Sequence, residues 1–142
     1  MRSRDNDGSA ADMDAIIREI GGDDELSPSA QLIRASFAPV AQRFGLTRSN
    51  CPAHPSFIET GALERLREKG VLLFGIFPDG TQAGFMALED GGGGTFYLEK
   101  LAVLPEHRGR GLGGGLVEFA LVRAGMLGGR RVSIGTVSYT HL

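Results

Sequence analysis

The residues best suited to chemistry on a charged ligand lie in the segment LAVLPEHRGRGLGGGL, residues 101–116. An apolar strand ends at Pro105, the chain turns through Arg108, Gly109, Arg110, Gly111, Leu112 and Gly113, and a helix begins. A helix start exposes unpaired amides and carries partial positive charge from its aligned peptide dipoles. Glycines let those amides close on an anion with no side chain in the way, and the two arginines add charge, so the spacing predicts a phosphate site. The competing reading is a tight connection with solvated arginines. Strand, arginines, spaced glycines and helix, all in order, favour the phosphate. A Walker loop is excluded, because no lysine followed by serine or threonine comes after the last glycine. Residues 109–114 do satisfy G-x-G-x-x-G, the dinucleotide fingerprint. However, Pro105, Glu106, His107 and Arg108 separate the strand from the first glycine, and 129–137 has no acidic residue to take a ribose.

The elements that must position this turn can be read from periodicity. Met13, Ile16, Ile17 and Ile20 follow the i, i+3, i+4, i+7 rule, predicting a short helix over 10–20 with Ser9 as N-cap. Ser27-Pro28 signals a second helix, with Ile33, Phe37, Val40, Ala41 and Phe44 on one face and Pro39 expected to kink or split it. A third runs over about 60–69. From Val71 the pattern changes to strands: VLLFGIF, TQAGFMALED and TFYLEKLAVLP, joined by Pro78-Asp79-Gly80 and by four glycines. Short connections predict an antiparallel meander over 71–104. The glycine-led helix follows, with Leu112, Leu116, Phe119 and Ala120 on its apolar face, and RRVSIGTV reads as a strand parallel to the third.

Composition sets the outer bounds. The chain has 142 residues, a formal net charge of -2 and 42% apolar residues, the mix of one ordinary globular domain. That charge offers no general attraction to nucleic acid or an anionic membrane, and no apolar run reaches the roughly 18 residues of a spanning helix. The single cysteine, Cys51, excludes an internal disulfide and a multi-cysteine zinc site, so no metal is expected and a cytoplasmic setting is the simplest reading.

At LAVLPEHRGRGLG the sequence resembles motif A of the GNAT N-acetyltransferases: Arg or Gln, two residues, Gly, one residue, then Gly or Ala. Arg108, Gly111 and Gly113 fill those positions. The resemblance covers roughly 28–137 and includes the order of helices, meander, motif and strand. It implies an α/β (α+β) fold: a mixed, mostly antiparallel central sheet flanked by helices. It also implies acetyl-CoA as co-substrate and a primary amine, on a small molecule or peptide, as acceptor. By the same resemblance, the amides of residues 109–113 hold the coenzyme A pyrophosphate, with Arg108 beginning the loop. Leu101, Ala102 and Val103 then pair with the pantetheine arm, and a bulge in their strand opens the cleft and frees an amide for the thioester carbonyl. Such a donor stabilises the charge that develops there during attack.

Acylation of an amine needs a base, or a water chain, to remove the ammonium proton. Glu99 lies two residues before Leu101, and strand alternation predicts that it shares a face with Tyr97 and Leu101 while Lys100 points the other way. Glu99 is therefore the candidate base; the alternative is a surface carboxylate paired with a cation. Tyr97 reads as packing, His107 as an exposed side chain, and Cys51 with His54 as loop residues able to border the acceptor. A non-catalytic acyl-CoA-binding module is the alternative function. The family continues past its fourth strand with a helix, which carries a tyrosine for the leaving thiolate, and two more strands. The sequence therefore reads as one partial domain over 1–142, lacking that C-terminal helix and those last two strands. Residues 1–10 are expected to be disordered and 138–142 to form a non-native tail in which Tyr139 does not replace the family tyrosine.

Overall fold

The computed structural model describes residues 16–134. Expectations for 1–15 and 135–142, including Tyr139 and the far end of the last strand, lie outside the described residues. In chain order the elements are β1 (Ile17–Glu19), α1 (Leu26–Arg43), α2 (Thr60–Glu68), β2 (Leu72–Ile76), β3 (Gly84–Asp90), β4 (Thr95–Val103), α3 (Leu112–Met126) and β5 (Arg131–Ile134). Short 3-10 turns stand at Asp23–Glu25, Pro55–Phe57 and Pro105–His107.

Alternating apolar residues and glycine-rich turns produce the expected meander, and β1 to β5 lie in chain order across one sheet. Each neighbouring pair is antiparallel except β4 and β5, which the α3 crossover makes parallel. The sheet buries both faces. Phe74, Met86, Leu88 and Leu98 pack on Leu112, Leu116, Ala120 and Ala124 of α3. Leu73, Phe85, Ala87 and Ala102 pack on the other side with Leu26, Ile33 and Leu63 of α1 and α2. Each large side chain so buried contributes about 1.5–3 kcal/mol. Gly84 permits a close approach of strand to strand and helix, because a Cβ there would sit 2.9 Å from the Ala102 carbonyl oxygen and 3.4 Å from Leu116 Cδ1.

Three expectations need correction. The 10–20 helix fails over Ile17–Glu19, which is a strand pairing Ile17 with Ile76 and Glu19 with Phe74. Ile17 and Ile20 suit a helical period, but the open edge of β2 satisfies their backbone instead. Pro39 does not split the second helix; Leu26–Arg43 is one α-helix with the proline inside it. Val40 and Phe44 were expected on the buried face, yet they are 40% and 67% exposed. Periodicity defines a face without guaranteeing that a neighbour reaches its last turn.

Candidate active site

The alternation of β4 breaks at one point. Phe85 pairs with Ala102 but Ala87 pairs with Glu99, so Met86 faces two residues, Lys100 and Leu101. This is a β-bulge, and Lys100 takes the left-handed conformation at φ 55°, as no other non-glycine residue among those described does. A lysine there costs about 1 kcal/mol relative to glycine. The extra residue resets which side chains share a face. Leu101 and Val103 join Leu98 on the α3 side, while Ala102 packs toward α1 and α2. Glu99, opposite Ala87, thus keeps Tyr97 on its face but not Leu101. Lys100, expected to point away, lines a cleft on the α2 side.

That cleft has a volume of about 460 Å³ and lies between the 52–59 loop, α2 and the bulge. His54 lines it and caps the Pro55–Phe57 turn: its Nδ1 accepts from the Ser56 backbone N–H at 3.2 Å and lies 2.7 Å from the Ser56 hydroxyl. Cys51 is a free, half-buried thiol. Among the described residues, no group of three His, Cys, Asp or Glu side chains could hold a metal ion.

Glu99 is half-buried, and its carboxyl is held above the ordinary carboxylate range. Burial is the main cause, and a hydrogen bond and repulsion from Glu89 add to it. The Lys100 and Lys69 ammoniums pull the other way. Tyr97, beside it on the strand and opposite Glu89, packs its ring over Gly91.

Beyond Val103 the chain makes the 3-10 turn Pro105–His107 and then the glycine turn. Gly109 and Gly111 have φ of 81° and 77°, the left-handed region that favours glycine. Gly111 is the N-cap of α3 and offers no side-chain cap, and the first turn of α3 has no acidic residue. The first bond into this turn is from the Gly115 amide to the Gly111 carbonyl at 3.0 Å. Among the described residues, the amides of residues 109–114 find no acceptor. A Cβ at Gly114 would meet nothing within 4 Å, and one at Gly113 only Val103 Cγ2 at 3.8 Å. Glycines in a helix cost about 0.5–1 kcal/mol each, and nothing among the described residues requires these two to lack a side chain.

Both arginines of the turn have partners within the protein. Arg108, though exposed, bridges two elements: its Nε donates to the Val103 carbonyl at 3.2 Å and its Nη2 to the Ser36 carbonyl at 2.8 Å. It ties the glycine turn to the end of β4 and to α1, near the backbone that Pro39 perturbs. Pro39 has no N–H for the Ala35 carbonyl, and its ring crowds that turn. Arg110 donates to Nδ1 of His107 at 2.7 Å. Sequence reading missed the Arg108 clamp, because a link across 72 residues leaves no local signal. Arg108→Met is expected to lower stability by about 1–3 kcal/mol in denaturant unfolding and to weaken ligand binding at the turn.

A mixed sheet with a bulged fourth strand running into a glycine turn at a helix start defines an α/β domain of the acyltransferase class. The profile of the acetyltransferase (GNAT) family matches residues 39–141, and the chain belongs to that family. A GNAT family acetyltransferase from Brucella melitensis, solved with acetyl-CoA, is 25% identical with a TM-score of 0.64, covering 88% of this chain and 78% of that one. A putative GNAT acetyltransferase from Xanthomonas campestris pv. campestris is 27% identical with a TM-score of 0.56, covering 84% and 75%. An aminoglycoside acetyltransferase from an uncultured soil metagenomic sample, solved with sisomicin, shares the fold at 16% identity and a TM-score of 0.59, covering 87% and 80%. Among curated proteins, no sequence match is found. No helix of the described residues is long and apolar enough to cross a membrane.

Proposed function

We propose that this chain is part of an N-acetyltransferase domain that moves an acetyl group from acetyl-CoA to a primary amine by direct attack in a ternary complex. The observation that carries this reading is the run of amides at residues 109–114, with no acceptor in the described chain, no side-chain cap and no carboxylate in the first turn of α3. A diphosphate satisfies such a set of donors, and the dipole of α3 favours its charge. The unobstructed positions at Gly113 and Gly114 leave room for it to approach.

Acetyl-CoA supplies the activated acetyl group, and the chain's own residues do the rest. Leu101 and Ala102 offer backbone to the pantetheine arm, while the carbonyl of Val103 is already engaged by Arg108. The bulge at Lys100 turns backbone out of the β3–β4 ladder, where an N–H can meet the thioester carbonyl. Glu99 takes the ammonium proton, directly or through one water. The freed nitrogen bonds to the acetyl carbon, the C–S bond breaks, and the coenzyme leaves as a thiolate that takes up the second proton shed by the nitrogen as the amide forms. The raised affinity of Glu99 for protons matches this task, because a base works best near the operating pH.

The test combines calorimetric titration of acetyl-CoA with thiol release across a panel of amines. Micromolar binding with amine-dependent thiol release is expected. Binding without turnover of any amine would favour a non-catalytic acyl-CoA module, and no binding at millimolar ligand would overturn the reading.

A further inference from the structure

The cleft beside the bulge has one apolar wall, made by Phe57, Ile58, Ala62 and Leu66, and three cations, Arg65, Lys69 and Lys100. Its one acidic lining residue, Glu59, is engaged by Arg48 at 3.0 Å. Arg65, Lys69 and Lys100 have no carboxylate within ion-pair distance among the described residues, and their side chains donate no hydrogen bond there. Glu99 and Glu89 lie on the neighbouring strands, and Glu89 helps to hold the Glu99 carboxyl above the ordinary carboxylate range. Excess positive charge therefore faces a cleft whose volume suits a small molecule.

Lys100 adds a second line of reasoning. It occupies a left-handed position where glycine would be free of strain, and it lines this cleft; Glu99, the residue before it, stands outside the lining but within reach of the Lys100 and Lys69 charges. Strain of this kind persists where the surrounding structure holds it, and it clusters at ligand sites. Resting on the acyl-transfer reading above, we infer that the acceptor amine also carries an oxyanion, a carboxylate or phosphate, on a partly apolar frame. Its amine lies toward Glu99, its oxyanion binds Lys100, Lys69 and Arg65, and its frame lies on Phe57 and Leu66.

The experiment compares matched acceptors at saturating acetyl-CoA: leucine against leucinamide, phosphoethanolamine against ethanolamine, and spermidine as a polycation. At least one oxyanion-bearing amine should exceed its neutral twin about tenfold or more in kcat/KM, and the twin that does so tells carboxylate from phosphate. Arg65→Gln with Lys69→Gln, exposed positions in the last turn of α2 and at its C-cap, should cut that discrimination about tenfold. Lys100→Gly should also cut it while raising Tm, because strain is relieved as the cation is lost. A merely structural lysine would give the higher Tm with discrimination intact, and that result overturns the assignment. Equal or better use of the neutral amines or spermidine overturns it too, as does turnover of none of the anionic amines. If acetyl-CoA itself fails to bind, the acyl-transfer reading falls as well, which separates the two failures.

Discussion

Gly111→Glu is expected to weaken acetyl-CoA binding by at least about 100-fold while leaving the protein folded. Gly111 is the N-cap of α3 at φ 77°, and a glutamate there pays about 1–2 kcal/mol of left-handed strain. Part of that cost returns, because a carboxylate at a helix start meets free amides and the positive end of the dipole. The same carboxylate competes with a pyrophosphate for those donors and repels its charge. Losing two charge-assisted hydrogen bonds, at about 1.5–3 kcal/mol each, accounts for the predicted factor. Calorimetric titration measures the loss, and thermal unfolding checks the fold. Gly111→Asn separates the causes, since asparagine tolerates the left-handed region and adds no charge. It should retain most of the affinity. Wild-type affinity in the glutamate variant would remove the glycine turn from the binding site.

Glu99→Gln should lower kcat/KM for the amine by about 10²–10⁴-fold with little change in the affinity for acetyl-CoA. The pH profile carries the distinguishing signature. Burial and Glu89 raise the proton affinity of Glu99, so in the wild type activity climbs as pH rises through that raised value. The variant should lose this limb and keep the one set by the ammonium of the substrate. Stability has its own sign. A carboxyl whose folded-state pKa is raised contributes stability that is fully present below its unfolded value. That contribution is lost as pH rises through the raised one. Melting temperatures of wild type should therefore fall relative to Glu99→Gln as pH moves from below the ordinary carboxylate range to neutrality. Coincident profiles of rate and melting for the two proteins would show that Glu99 is a surface carboxylate without a role in proton transfer.

Much of this molecule is written locally. Glycines, prolines and alternation mark the ends of β2, β3 and β4. The apolar period of α3 returns in the burial of Leu112, Leu116 and Ala120, and the order of strand, glycine turn and helix points to the family. The short segment at Ile17–Glu19 was not legible, because a few residues fit two periods and the deciding hydrogen bonds come from β2, far along the chain. The bulge was not legible as a position either. A left-handed residue is usually announced by glycine or asparagine, and here the sequence has Lys100. That one inserted residue moved Leu101 off the face of Glu99 and brought Lys100 onto the cleft.

The amino-acid sequence by itself determined the element order from α1 onward, the family and the glycine turn, since these depend on contacts between near neighbours and on the backbone freedom of single residues. Tertiary structure alone decided that Arg108 grips α1, that Glu99 meets Glu89, and that three cations converge on one cleft. Each of those joins residues distant in the chain. Their meeting depends on the register between strands and the packing of helices on the sheet, and neither leaves a mark in local spacing.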